Sequence, residues 1–87
     1  MAFVSDPRMP KRYRGRSTDD LFHIVDWYPT ILALAGYAKQ LTDMDGYDQW
    51  LSLAAGWPGP RTELVYNINT ALRFTAAIRV GKWKLIW

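Results

Sequence analysis

The stretch that decides the fold reads His23-Ile24-Val25-Asp26-Trp27-Tyr28-Pro29-Thr30-Ile31-Leu32-Ala33-Leu34-Ala35-Gly36, and it predicts a helix over Trp27–Ala35. Asp26 can accept hydrogen bonds from the free amides of a helix start. Pro29 falls in the first turn, where its missing N–H removes no intrahelical hydrogen bond. Gly36 supplies the left-handed residue that commonly ends a helix. Because the segment is apolar nearly all round, we expect the helix to be buried.

Downstream of this helix, the pattern predicts a turn, a second short helix and a rigid loop. Asp45-Gly46 marks the turn, and Tyr47–Ala55 has the length of a short helix. Gly56 then closes that helix, for the same reason as Gly36 closes the first. Trp57-Pro58-Gly59-Pro60 follows as a loop with little backbone freedom.

The remainder of the chain predicts strands. Leu64–Asn69 alternates, with Leu64, Tyr66 and Ile68 on one face, which indicates a half-buried strand. Ala77–Val80 and Trp83–Trp87 predict a C-terminal β-hairpin, and the glycine of the intervening Gly81-Lys82 suits a type II′ turn. Taken together, the fold class is α/β, with short helices plus strands.

Upstream of the helix, Ala2-Phe3-Val4 is typical of the end of a short buried strand, and Ser5-Asp6-Pro7 stops it. Residues 5–16 predict a basic, exposed loop. Ser17-Thr18-Asp19-Asp20 has the composition of a helix start, where carboxylates are favoured by the helix dipole. Strands at the two extremes of the chain suggest elements whose neighbours lie outside it.

The composition suggests that the chain packs against a partner. It has 87 residues, five of them tryptophan, and 15% are aromatic. A domain of this size buries only about 60–65% of its unfolded surface, whereas each large aromatic covers about 150–250 Å² when buried. We therefore expect some tryptophans to meet a surface that the chain does not contain. No apolar run reaches membrane-spanning length, and we expect no signal peptide.

The net charge of +3 is the sum of three consecutive parts of the chain, which are basic, acidic and basic in turn. Residues 1–16 carry +4, residues 17–60 carry −5 with Lys39 as their one cation, and residues 61–87 carry +4 with Arg73 among their cations. Charges arranged in this way would largely cancel across a compact body, so a single basic face is not implied.

Four groups of side chains are candidates for a catalytic, metal-binding or anion-binding site. His23 and Asp26 are spaced for one helical face, but two ligands fall short of the three that a catalytic metal site usually needs. A half-buried histidine satisfied by backbone is the preferred interpretation. Asp19-Asp20 is more typical of a helix start than of a cation site. Asp43, Asp45 and Asp48 fail the calcium-loop spacing, because the loop's glycine and final glutamate positions are not matched.

The fourth group is the basic segment Arg8–Arg16, which includes Tyr13 and could hold an anionic partner. Only one aromatic is present and no nucleic-acid motif follows, so a solvated loop is preferred and no nucleic acid is expected. The chain contains no cysteine, phosphate loop or nucleophile elbow. No catalytic, cofactor-binding or metal residue is assigned.

The helix segment resembles the H-x-x-D-W-x-P-T-ϕ-ϕ-x-ϕ-A-G stretch of the sulfatases, in particular that of the animal arylsulfatases of the B, I and J type. Further matches follow in order along the chain. Ala2-Phe3-Val4 is similar to the strand after their E-G-G segment, and Asp45–Trp50 to their L-D-G-x-D-x-W, with Met44 in place of the leucine. Tyr66–Asn69 is similar to H-N-I-D with both ends changed, and Ala77–Leu85 to A-I-R-x-x-x-W-K-L.

The resemblance implies that residues 1–87 are a single incomplete segment of an alkaline-phosphatase-like sulfatase catalytic domain. Such enzymes are sulfuric ester hydrolases that use calcium and a formylglycine made from the cysteine of C-x-P-S-R, and they are usually lysosomal, endoplasmic-reticulum or secreted proteins. Those motifs lie upstream of the matched region, and Ser5-Asp6-Pro7-Arg8 does not supply a serine version. The expected partner is the rest of the domain.

Three hypotheses follow. The first is an arylsulfatase-like fragment that is structural and inactive alone. The second is a small basic binding module using Arg8–Arg16 on an anionic partner. The third is a hydrolase that uses His23 and Asp26.

Overall fold

The structure, a computed structural model, describes residues 2–37, 43–71 and 74–87. Lys39 and Arg73, which were counted in the charge pattern, lie outside these ranges. Two 3₁₀ turns precede the longer elements. The described elements, in chain order, are the 3₁₀ turns Lys11–Tyr13 and Ile24–Asp26, helices α1 (Trp27–Leu34) and α2 (Trp50–Ala55), and strands β1 (Glu63–Asn69), β2 (Thr75–Val80) and β3 (Trp83–Ile86).

Helix α1 confirms the predicted helix to within one residue. Pro29 lies in its first turn, and Gly36 follows the helix with a φ of +85°. The expectation that the helix is buried all round is wrong in this chain. Pro29 and Thr30 are buried, whereas Tyr28 and Ile31 are largely exposed. The described residues cover one side of the helix, and nothing in them provides a second layer.

Helix α2 begins at Trp50, three residues later than predicted, and ends as predicted at Gly56, whose φ is +68°. Residues 47–49 are held against the start of α1 in a non-helical conformation, with the backbone N–H groups of Tyr47 and Gln49 donating to the side chains of Asp26 and Thr30. The N–H of Trp50 donates to Asp48 Oδ1 at 2.9 Å, which satisfies one free amide at the helix start.

The three strands form one antiparallel sheet in the order β1-β2-β3. The predicted hairpin is confirmed, with Val80 paired to Trp83 across Gly81-Lys82. Gly81 has a φ of +54°, and Lys82 does not share the positive φ that a type I′ turn would require, as expected for type II′. The pairing of β1 with β2 is irregular between Tyr66 and Asn69. Ile68 is consequently exposed, and only part of the predicted inner face of β1 is buried.

Two of the three predictions for the first twenty residues are wrong. Ala2-Phe3-Val4 is not a strand, and Phe3 is 90% exposed, because no described strand lies beside it to complete a ladder. The loop at 5–16 is mostly exposed, but it contains a 3₁₀ turn and buries Met9. Ser17–Asp20 starts no helix, because the side chain of Asp20 is bound to α2 instead.

The most deeply buried side chains of the described residues are polar. Asp26, Thr30 and Gln49 are the largest fully buried side chains, while few apolar side chains are buried. The sheet stands apart, since no helix packs closely on it within the described ranges. The observed fold is thus a set of short helices beside a three-stranded antiparallel sheet, as a partial α/β segment would give. Among the described residues, no helix has the length and hydropathy to cross a bilayer.

Candidate functional site

The carboxylate of Asp26 is the centre of the buried polar cluster. It lies at the end of a 3₁₀ turn and directly before α1, where the chain folds back on itself. The backbone N–H of His23 donates to Oδ2 at 2.8 Å, and that of Tyr47 donates to Oδ1 at 2.9 Å. Gln49 Nε2 donates to Oδ2 at 3.1 Å. Both oxygens are therefore bound by groups from two separate segments of the chain.

A third segment contributes Arg61. Its guanidinium forms a two-pronged ion pair with Asp26, with Nε donating to Oδ2 at 2.8 Å and Nη2 donating to Oδ1. The same Nη2 donates to the carbonyl of Asp45 at 2.9 Å. The Tyr47 ring centroid lies 4.9 Å from the guanidinium carbon, within cation–π distance. Arg61 thereby binds the Asp45–Tyr47 loop to the start of α1.

The charge state of Asp26 follows from these contacts. Burial by itself would raise the pKa of this carboxyl, because a low-dielectric site disfavours the charged form. The Arg61 guanidinium, the His23 and Tyr47 amides and the Gln49 side chain outweigh that cost and hold the pKa well below its ordinary value. Hydrogen bonding to Asp26 in turn raises the pKa of Arg61. Both groups are charged throughout the neutral range.

Thr30 and Gln49 extend the cluster. Thr30 Oγ1 donates to the carbonyl of Asp26 at 2.6 Å and accepts from the N–H of Gln49 at 3.0 Å. The Gln49 amide also donates to the carbonyl of Leu21 at 3.2 Å. Every buried side-chain nitrogen and oxygen among the described residues has a hydrogen-bond partner. We call Asp26, Thr30, Gln49 and Arg61 the Asp26 cluster.

Gly46 allows the loop to approach α1 this closely. A Cβ at this position would collide with the carbonyl oxygen of Val25 and would lie 3.0 Å from Cγ of Pro29. The φ of Gly46 is not positive, so the requirement for glycine is one of space and not of backbone conformation. The Asp45-Gly46 turn predicted from the sequence therefore places the Tyr47 amide against Asp26.

The structure places His23 and Asp26 together, with the N–H of His23 donating to the Asp26 carboxylate. His23 is half-buried and its Nδ1 accepts from the N–H of Val25 at 3.2 Å, which confirms the preferred interpretation of a histidine satisfied by backbone. Asp26 was predicted to cap α1, and this is wrong, since its side chain makes no cap bond to that helix. The carboxylate faces Arg61 and the 45–49 loop instead, where donors already occupy both oxygens.

Two of the remaining acidic candidates, Asp20 and Asp48, have structural contacts. Asp20 Oδ2 accepts from Ser52 Oγ at 2.6 Å, and this bond, together with one from Thr18, lowers the pKa of Asp20. Asp48 Oδ1 accepts from the N–H of Trp50. Within residues 2–37, 43–71 and 74–87, no three His, Asp or Glu side chains gather in a group that could hold a metal ion.

The four arginines of the basic segment Arg8–Arg16 contact groups of their own chain. Arg8 pairs with Asp6 through its side chain, and Arg14 donates to the carbonyls of Pro7 and Met9. The guanidinium carbons of Arg12 and Arg16 lie 5.0 and 5.3 Å from the Tyr13 ring centroid. These contacts fold the segment onto itself and do not favour its use as a binding module.

Sequence reasoning missed the part played by Arg61, Gln49 and Thr30. Two signals bore on it. Arg61 is the first cation after an acidic stretch of six aspartates, and both Thr30 and Gln49 lie inside the quoted motifs. Neither signal specifies a partner, because the bonds join residues that are 19 to 35 positions apart.

The Asp26 cluster joins three segments of the chain. Donors from the protein occupy both oxygens of the Asp26 carboxylate, so the carboxylate has no free position for a substrate. An ionised carboxylate whose oxygens are all engaged is neither a free proton acceptor nor an available metal ligand. Removing Arg61 would leave a buried carboxylate without its counter-ion, which is costly. The geometry is that of a structural junction connecting residues 21–30, 45–49 and 61.

Comparison with known proteins agrees with the motifs. No family model matches the chain. The chain is similar to arylsulfatase J of Mus musculus, with 33% identity over 106 aligned residues, covering 99% of this chain. The chain spans 17% of the length of that relative. The Asp26 cluster consists mainly of residues from the motifs described above. The similarity to one part of arylsulfatase J extends over nearly the whole chain. The chain is therefore related to the sulfatase family.

Proposed function

We propose that this chain is a structural segment of an arylsulfatase-like sulfuric ester hydrolase domain of alkaline-phosphatase-like architecture, and that it is inactive alone. In the complete domain, the role of the chain would be to pack the Asp26 cluster and the three-stranded sheet against the remaining polypeptide. The observation that carries the proposal is the Asp26–Arg61 ion pair. Asp26, Gln49 and Arg61 are largely buried, and the hydrogen bonds of their side chains join three segments of the chain.

The proposal accounts for the exposed aromatic residues. Trp57, Trp83 and Trp87 are all largely exposed, and so are Tyr28 and Ile31 on α1. Apolar area on this scale is typical of surfaces that are covered in the complete domain. The 17% coverage of arylsulfatase J is consistent with the greater part of such a domain lying elsewhere in sequence.

The cofactors of the family do not fit the residues of this chain. A formylglycine derives from a cysteine or serine in its own motif, and the sequence has no cysteine and no such motif. A calcium site needs several oxygen ligands, and the carboxylate of Asp26 is saturated by donors. We therefore derive no catalytic step through either group, and we assign calcium and formylglycine to the remainder of the proposed domain.

A graft tests the proposal. The matched segment of arylsulfatase J would be replaced by this chain, and hydrolysis of 4-methylumbelliferyl sulfate would be compared with that of unmodified arylsulfatase J. We expect the grafted enzyme to fold and to retain turnover, since a structural segment transfers without the catalytic groups. The isolated chain should show no turnover with or without added calcium.

Two controls make the result decisive. Arylsulfatase J with the matched segment deleted should be inactive when expressed alone, which establishes that the segment is needed. Turnover by the isolated chain, or a grafted enzyme no better than the deletion, would contradict the proposed function.

A further inference from the structure

The chain exposes much more surface than a self-contained protein of its mass. Its accessible surface is 7447 Å² at 10.1 kDa, whereas folded monomers of this mass expose about 5,300 Å². The radius of gyration is 15.2 Å, against about 12 Å for a compact domain of this length. The excess of roughly 2,000 Å² is the area that a partner would have to cover.

One face of the sheet holds a large share of the exposed apolar side chains. Val65 is paired with Ile78, and Ile78 with Leu85, so these three side chains project from the same face. Alternation along the strands adds three more side chains to that face. We call it the Leu85 face; its apolar members are Val65, Ile78, Val80, Trp83, Leu85 and Trp87.

The opposite face of the same sheet is different. Arg79 is paired with both Leu64 and Lys84, which places two cations on that face. Lys84 Nζ lies 4.7 Å from the ring centroid of Tyr66, and Leu64 is buried. This face is partly polar and makes its own contacts. Among the described residues, the charges near the Leu85 face lie at its hairpin end: Glu63 is paired with Val80, and Nζ of Lys82 lies 5.4 Å from the ring centroid of Trp83.

We infer that the Leu85 face is the surface on which the remainder of a sulfatase-like polypeptide docks through an apolar element of its own. This inference rests on the proposed function and identifies the partner and the contact surface. A face with six apolar side chains, and with charges near its hairpin end, is suited to an apolar layer. It is unsuited to an anionic ligand, because the strand cations Arg79 and Lys84 lie on the other side of the sheet.

The amount and the distribution of exposed area favour this occupant over a second copy of the chain. A standard interface covers about 800 Å² per partner, which is less than half of the excess. A symmetric pair joined through the Leu85 face would also leave Tyr28 and Ile31 of α1 exposed, since α1 does not pack on the sheet. The part of arylsulfatase J that this chain does not match, all but 17% of its length, is large enough to cover both places.

The test uses the full chain together with its proposed partner. The chain would be co-expressed with affinity-tagged arylsulfatase J from which the matched segment has been deleted. We expect the chain to be captured in a 1:1 complex. Leu85→Lys should reduce the captured amount about ten-fold or more, because a buried lysine without a counter-ion is strongly disfavoured.

Ile86→Lys is the matched control. Ile86 adjoins Leu85 on β3, is 70% exposed against 65%, and projects from the opposite face. It should change capture by less than about two-fold, since its lysine stays in solvent. Trp83→Lys is a second variant on the Leu85 face and should behave as Leu85→Lys does. Captured amounts are divided by the soluble amount of each variant, which separates docking from folding.

Different results overturn different statements. Equal loss with Leu85→Lys and Ile86→Lys would overturn the choice of face and leave the proposed function standing. Failure to capture even the unsubstituted chain would overturn the docking inference, whereas turnover by the grafted enzyme separately decides the proposed function. If light scattering showed a dimer of the chain that Leu85→Lys converts to monomer, the occupant would be a second copy and the inference would be wrong.

Discussion

Arg61 donates to both carboxylate oxygens of Asp26 across 35 residues of sequence, and this ion pair joins the start of α1 to the segment that leads into the sheet. The Asp26 side chain is fully buried and that of Arg61 is 12% exposed, so solvent screens the pair weakly. The ion pair is accordingly the contact whose loss should affect the fold most.

Arg61→Ala should therefore destabilise the grafted enzyme. Breaking a buried ion pair by removing one partner costs about 3–5 kcal/mol, because the other charge stays buried. Arg61→Lys should recover part of the loss, since an ammonium retains the charge but not the two-pronged geometry. Thermal unfolding of the two variants beside the unsubstituted graft measures the difference.

Arg79→Ala serves as the control for Arg61→Ala. Its Nε donates to the carbonyl of Gly81 in an exposed hairpin, where the loss of a hydrogen bond has little effect. If Arg79→Ala lowered the melting temperature as much as Arg61→Ala, the special role of the buried ion pair would be refuted.

The pH dependence of stability should carry the signature of Asp26. Its pKa in the folded state lies well below the value of about 3.9 in an unfolded chain. Between those two values the unfolded state binds the proton more tightly. The stabilisation is therefore fully present above about pH 4 and is lost as the pH falls toward the folded pKa. Urea titrations of the grafted enzyme between about pH 2.5 and pH 6, followed by tryptophan fluorescence, measure this loss of stability.

Asp26→Asn should be less stable at neutral pH and should lose most of this acid dependence. Asp20→Asn is the matched comparison, because the pKa of Asp20 is also lowered but its carboxylate accepts from a hydroxyl and not from a guanidinium. An unchanged acid limb in Asp26→Asn would mean that other carboxyls account for the dependence.

Local signals in the sequence predicted the ends of the elements well. Pro29, Gly36, Gly56 and Gly81 each impose a requirement on one or two consecutive residues, and each lies where it was expected. Such requirements depend on the backbone of the residue itself, so the sequence is enough to recognise them.

Long-range contacts account for the errors. The start of α2 was placed too early because the contacts of Tyr47 and Gln49 with side chains 21 and 19 residues away leave no pattern in the local sequence. Asp26 was predicted to cap a helix because its actual partner, Arg61, lies 35 residues away and leaves no pattern in the local sequence. Ala2–Val4 has the composition of a strand, yet a strand also needs a neighbour, and composition does not reveal one.

Gly46→Ala should be severe although the glycine has an ordinary φ. The new methyl group would meet the Val25 carbonyl, which is backbone and cannot move aside as a flexible side chain would. Overpacking of this kind costs about 1–3 kcal/mol, and we expect the upper end of that range because the displaced loop also carries a ligand of Asp26. The melting temperature of the grafted enzyme measures the loss.

Gly81→Ala separates the steric cause from the conformational one. No atom lies within 4 Å of the added methyl group, but the φ of +54° is unfavourable for alanine by about 1–2 kcal/mol. Gly46→Ala should be the more damaging of the two. The reverse order would show that the 45–49 loop can move away from α1.

His23→Ala decides between a structural and a catalytic histidine. His23 caps a 3₁₀ turn, with Nδ1 accepting from Val25, and its own N–H bonds Asp26 regardless of the side chain. Losing the cap should cost about 1 kcal/mol and leave turnover of 4-methylumbelliferyl sulfate by the grafted enzyme unchanged. His23→Asn should restore most of the stability, because an asparagine oxygen can accept the same hydrogen bond. A fall in turnover of 100-fold in both variants, at unchanged melting temperature, is on the order expected from loss of a general acid or base. That result would assign His23 a part in the chemistry.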